Sequence, residues 1–216
     1  MVCLSIEIKM YNSNYVIMKS KIFILFCLFI GISFISCNSN KTASNTEQLD
    51  TVWNEKVQDS FFGLTLGDSA EVDFIVANLQ NKGFYFSNDC SSNTLLHFRS
   101  ANSQYFSFGG LTWEMLDISI ENNVLQKITF MNSSLDKAGA IGNYDGIKSA
   151  VDAKYSPTER ILNDTTIYKK TSYFGRNGVS VNVSCFRYET ISKKIMIGTT
   201  LSYWTQKNIK PANDEL

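Results

Sequence analysis

The chain has one histidine, His97. A single imidazole removes most metal cages and most nucleophile–histidine–carboxylate arrangements, which draw on several such side chains. Leu96 and Phe98 flank it on what would be one strand face, so His97 is expected on the opposite, solvent side. No Ser, Cys or carboxylate is tied to it by spacing. Glu114 and Asp117 are the nearest thing to a carboxylate pair, and nothing in their spacing separates them from a solvated strand face. The chain also lacks a glycine-rich phosphate loop and a Cys-x-x-Cys motif, so no cofactor and no metal are expected. Long runs of like charge are missing too, which argues against a nucleic-acid partner.

Long hydrophobic runs are equally scarce, and the one that exists is short. Lys19 and Lys21 precede an uninterrupted apolar stretch over residues 22–32, and Ser36 stands just before Cys37. A basic region, an apolar region and a small-residue cleavage site compose a secretory signal. A bilayer-spanning helix takes about 20 apolar residues, so an ordinary membrane anchor fits less well. The residues Phe34-Ile35-Ser36-Cys37 resemble the lipobox of bacterial lipoproteins. That resemblance implies cleavage before Cys37, two or three acyl chains on it, and attachment to a membrane of the bacterial cell envelope on its periplasmic or surface side. Residues 1–17 fit no part of such a signal and read as a gene-model extension before a signal peptide over residues 18–36.

Removing Lys9, Lys19, Lys21 and Glu7 from totals of 20 bases and 20 acids leaves 17 and 19, a net charge near −2. Cysteines are few: of five, Cys3 and Cys27 leave with the presequence and Cys37 takes lipid. Cys90 and Cys185 are then a leftover pair in an oxidising compartment, which reads as a disulfide. The alternative is two independently buried thiols.

Residues 37–55 are polar and rich in Ser, Thr and Asn, a composition that reads as a flexible tether. One folded domain is expected over residues 56–206, with a polar tail over 207–216. A short apolar strand is expected to run into Gly67. Asp68 and Glu71 have capping-box spacing ahead of Val72, Ile75, Val76 and Leu79, and Gly83 supplies a helix stop. Period-two alternation then runs through Leu96/Phe98, Phe106/Phe108, Leu116/Ile118/Ile120 and Ile128/Phe130. A second helix is expected from an Asn143 cap, with Tyr144, Ile147, Val151 and Tyr155 on one stripe, ending at Ser156-Pro157. Asn177-Gly178 suggests a type I′ hairpin between strands 168–174 and 179–188, followed by a strand over 195–204.

The expected class is therefore α+β, an antiparallel sheet with two helices packed on one face and helix-then-strands occurring twice. The run Phe62-Gly63-Leu64, Gly67-Asp68, Leu79 and Lys82-Gly83-Phe84 resembles the opening of small exported domains of Bacteroidetes lipoproteins, some of which are similar to the β-lactamase-inhibitor-protein fold. The resemblance implies a scaffold and leaves its use open. On the second hairpin Val179, Val181, Val183 and Cys185 share one face, which places Phe186 and Tyr188 on the other. Outward aromatics of this kind suit a protein or glycan partner, unless the fold itself covers them. The function expected is a lipid-anchored, non-enzymatic binding module, with an envelope hydrolase as the alternative.

Overall fold

The computed structural model describes residues 45–49, 53–162, 166–190 and 192–205. The expected presequence, Cys37 and the C-terminal tail lie outside the described residues. Among the described residues thirteen strands and two α-helices make a strand-rich α+β fold. The strands are β1 (Asn45–Gln48), β2 (Ser60–Phe61), β3 (Leu64–Thr65), β4 (Phe84–Phe86), β5 (Leu95–Ser100), β6 (Phe106–Phe108) and β7 (Leu111–Trp113). They continue with β8 (Met115–Glu121), β9 (Val124–Ser134), β10 (Glu159–Leu162), β11 (Ile167–Phe174), β12 (Val179–Glu189) and β13 (Ile195–Thr205). Helix α1 spans Val72–Asn81, between β3 and β4, and α2 spans Lys137–Asp152, between β9 and β10. Nine strands form one sheet in the order β1-β10-β11-β12-β13-β9-β8-β5-β4, with every pairing antiparallel.

Helix α1 carries the expected stripe, with Ile75 and Leu79 buried and Val72 and Val76 half-buried against the core. Its start differs from the expectation. Glu71 is the N-cap and makes no side-chain capping bond. Asp68 is engaged elsewhere, its carbonyl accepting from Leu125 N at 2.9 Å while Ala70 N donates to Asn123 O at 2.8 Å. These backbone bonds hold residues 67–70 against the β8–β9 turn and delay the helix. Gly83, at φ 86°, closes it through a bond to Gln80 O, as a C′ glycine does.

Before α1 the chain makes a hairpin, not the single strand expected. Phe61 pairs with Leu64, and both loop residues are left-handed, Phe62 at φ 54° and Gly63 at 82°. Phenylalanine is strained there. Asn78 Nδ2 donates to Phe62 O at 2.9 Å, and the Phe62 ring packs among Phe84, Phe108 and Phe130.

Helix α2 begins well before Asn143. Asp136 is its N-cap, accepting from Ala138 N at 3.1 Å and Gly139 N at 2.8 Å. Tyr144, Ile147 and Val151 are buried as the stripe requires, and Ala140 extends it toward the cap. From the end of β9 the helix crosses β13, β12 and β11 and delivers the chain to β10, after which the strands return across the sheet to β9. Polar bonds tie it to the strands beneath: Thr199 Oγ1 to Ala140 O at 3.1 Å, Tyr144 Oη to Thr171 Oγ1 at 2.6 Å, and Tyr173 Oη to Asp152 Oδ1 at 2.7 Å. Asp136→Ala should cost about 1 kcal/mol in urea unfolding, and Asp136→Asn much less, because only alanine leaves the first-turn amides without an acceptor.

Two further corrections concern loops. The β11–β12 turn has positive φ at Gly178 (77°) but not at Asn177, so it is not type I′. Gly178 N donates to Gly175 O and Gly175 N to Val179 O, the longer form that ends in a left-handed glycine. Asn177 instead turns its amide onto Val57, donating to its carbonyl at 2.7 Å and accepting from its N–H at 3.2 Å. The primed geometry appears at the β8–β9 turn, where Asn122 and Asn123 stand at φ 52° and 59°. The expected tether is also shorter than its composition suggests, because Asn45–Gln48 is an edge strand on β10.

The core face holds the aromatics. The β2–β3 and β6–β7 hairpins fold over it beside the helices. Phe61, Phe62, Phe106, Phe108 and Trp113 all meet Phe130, with the Phe108 and Phe130 rings stacked at 4.1 Å.

Candidate interaction face of the sheet

Strand alternation separates two chemistries on β12. Val179, Val181, Val183 and Cys185 point into the core and are fully buried, while Ser180, Asn182, Ser184, Phe186 and Tyr188 point the other way. Register carries this division across the sheet. His97, Asp117, Thr129, Ser202, Asn182, Ser172 and Glu159 are successive cross-strand partners and form one outward polar row. Within it Thr129 and Ser202 bond at 3.0 Å, and Ser172 Oγ donates to Asn182 Oδ1 at 2.7 Å. A neighbouring row adds a Ser184–Thr200 bond of 2.7 Å.

His97 is on the expected face but is not solvated. It is 4% exposed, and its Nδ1 lies 2.5 Å from Asp117 Oδ1. The β6–β7 hairpin occupies the sequence between β5 and β8, so linear spacing does not reveal this partner. The strand pairing His97↔Asp117 does. With the carboxylate against Nδ1, the neutral ring offers a lone pair at Nε2. Nε2 is buried and has no hydrogen-bond partner among the described residues. The same holds for Arg99 Nε and Trp204 Nε1, which lie on this outward face as well. Asp117→Ala should cost about 1–3 kcal/mol in urea unfolding, since both ring nitrogens would then be buried without partners. Asp117→Asn, which keeps an acceptor, should cost less, and equal costs would show that the pair does not hold the ring.

Phe186 and Tyr188 are both half-buried, with ring centroids 5.9 Å apart. Gly198 makes room for the first, because a Cβ there would come within 2.9 Å of Phe186 Cζ and of Met131 Cε. Tyr188 Oη bonds Ser133 Oγ at 2.8 Å, and Ser133 N donates to Glu114 Oε2 at 3.0 Å. Burial raises the Glu114 carboxyl above its usual range, against the Ser133 amide and Arg99, which pull it down. Burial likewise raises the Tyr188 phenol, opposed by its bond to Ser133.

The expected Cys90–Cys185 bridge is not formed. Cys185 is a free thiol on the core face of β12, while Cys90 ends the short 3₁₀ turn (Asn88–Cys90) before β5. Strands β12 and β5 stand four places apart in the sheet, about 19 Å at the usual inter-strand spacing, and a disulfide needs Cα atoms within about 7 Å. Burial raises the Cys185 thiol, countered in part by its bond to Thr199.

Among the described residues no cluster of metal-ligating side chains occurs, and no helix is long and apolar enough to cross a membrane. The outward face thus holds a polar row that is largely buried and bonded to itself, a half-buried aromatic pair at one end, and one oriented imidazole. No protein-family model matches the chain, and neither does any curated protein or solved structure.

Proposed function

We propose that this chain is a lipoprotein anchored to the bacterial envelope through Cys37, on the periplasmic or surface side, and that it works as a binding module. Its docking surface is the outward sheet face, with Phe186 and Tyr188 as aromatic anchors for a protein or glycan. The two helices and the core lie on the other face, in two successive helix-then-strands halves. One observation carries the reading: Phe186 and Tyr188, half-buried with ring centroids 5.9 Å apart, present aromatic surface on the outward face. Aromatic side chains supply the apolar contact that such interfaces concentrate.

The anchor is tested by fatty-acid labelling. Radiolabelled palmitate should enter the wild-type chain and not Cys37→Ala, and equal labelling of both would contradict the anchor. The binding surface is tested by substituting Phe186 and Tyr188, with the outcomes set out in the Discussion.

A second reading, an envelope hydrolase, is favoured by the His97–Asp117 pair alone. A carboxylate on Nδ1 orients an imidazole to act as a general base through Nε2. Under that reading His97→Gln abolishes turnover of an activated ester while envelope binding persists. Under the binding reading no His97-dependent turnover is found.

A further inference from the structure

We propose that one end of the sheet is a bilayer-facing rim, in which Leu135 and Ile195 insert at the headgroup boundary among Lys137, Arg187, Lys193 and Lys194. The inference rests on Cys37 being the lipid-bearing residue.

Register defines this end. Ser134 at the end of β9 pairs with Ile197 near the start of β13, and Glu189 at the end of β12 pairs with Ile195. Asn45 at the start of β1 pairs with Leu162 at the end of β10, and Leu162 with Lys169 near the start of β11. Among the described residues the exposed large aliphatic side chains all belong to these termini: Leu135 at 63%, Ile195 at 49% and Leu162 at 36%. The other exposed large apolar side chains, Trp53, Phe74, Tyr85 and Tyr105, are aromatic.

Chain length ties this end to the membrane. Because β1 is docked, Asn45 is fixed to the sheet eight residues after Cys37, and eight residues reach at most about 28 Å. A tether running to residue 55 would have allowed about 60 Å. Asn45, Leu162, Lys169, Cys185 and Thr199 stand level in register, and Ile195 lies four residues further out, about 13 Å beyond them. The β12–β13 hairpin therefore projects past the point where the lipid-bearing segment joins the sheet.

Charge fits an anionic surface. Lys137, Arg187, Lys193 and Lys194 are exposed here. The acids at this end are Asp136, engaged as the α2 cap, Glu189, 3.4 Å from Lys193, Glu114, bonded to Ser133 N, and Asp145, paired with Lys169. Lys137 also stands 4.1 Å over the Tyr168 ring, which holds its stem along the rim. Cations close to an anionic lipid surface each strengthen association about fivefold, and aliphatic side chains among them gain by entering the acyl boundary.

The experiment places a photoreactive benzophenone side chain at position 135, 195 or 74 of the full-length, acylated protein. The protein is reconstituted in vesicles of phosphatidylethanolamine and phosphatidylglycerol, and phospholipid adducts are measured. Position 74 is the control: Phe74 is exposed near the β8–β9 turn, at the other end of the sheet. Adducts are expected at 135 and 195 and not at 74. Combining Lys193→Glu with Lys194→Glu, surface changes that leave the core intact, should reduce those adducts at least tenfold. Acylated protein with equal adducts at all three positions, or with none, would overturn the rim while leaving the anchor standing. A protein without acyl chains on Cys37, read from the same preparation by mass, would overturn anchor and rim together.

Discussion

Above about pH 10 the folded domain should lose stability as pH rises, by about 1.4 kcal/mol per pH unit for each buried phenol that stays protonated in the fold. Tyr144, Tyr173 and Tyr203 are 2%, 0% and 5% exposed. Burial raises each phenol above its ordinary value, and Tyr173 is raised further by the hydrogen bond it donates to Asp152. The folded state thus holds these phenol protons more tightly than the unfolded chain, which releases them near pH 10. The stabilisation is fully present below the unfolded pKa and is lost as pH rises, at about 1.4 kcal/mol per unit for each tyrosine. Urea unfolding at stepped alkaline pH, followed together with phenolate absorbance, checks this. Tyr173→Phe should lower the slope by about 1.4 kcal/mol per unit. Phenolate absorbance from all tyrosines without unfolding would contradict it.

Phe130→Ala should cost about 3–5 kcal/mol. Phe130 is fully buried, and its ring meets Phe61, Phe62, Phe106, Phe108 and Trp113. These neighbours come from β2, the β2–β3 turn, β6 and β7, so removing the ring opens a cavity under both hairpins. Collapse there is limited, since Trp113 is held by its Nε1 bond to Phe108 O and Phe62 by Asn78. Phe130→Leu, which fills most of the space, should cost much less. Chemical denaturation of the two variants gives the comparison, and equal losses would show that the ring contacts, not the apolar volume, hold the two hairpins.

The sequence was most legible where a period repeats within one element. The 3.6-residue spacing of Val72, Ile75, Val76 and Leu79 gives the inner face of α1, and alternation on β12 places Val183 and Cys185 inward. Legibility failed where tertiary bonds outbid local signals. Asp68 has a cap's spacing, but its backbone is used by the β8–β9 turn. The first half of α2 carries Gly139 and Gly142 and little apolar stripe, so only the structure shows that Asp136 starts it. Asn177 looked like half of a primed turn, yet its amide is spent on Val57.

The outward face was the least legible part. Pairing Cys90 with Cys185 counted thiols without knowing the strand order that keeps them apart. His97 looked solvated because alternation does point it away from Leu96 and Phe98. What alternation omits is cross-strand register, and register brings Asp117 to its ring. The same register assembles Thr129, Ser202, Asn182 and Ser172 from distant strands into one row. Phe186 and Tyr188 were legible as outward residues, whereas Gly198, which seats the Phe186 ring, carries no signal in the linear chain.

The outward face as the working surface is tested most directly by binding to solubilised envelope components. The comparison is between the wild-type chain and a variant combining Phe186→Ala with Tyr188→Ala, each first matched for its urea midpoint. Two aromatic anchors worth about 2 kcal/mol apiece predict a loss of affinity approaching a thousandfold, with the fold retained. Equal binding by a folded variant would contradict the account.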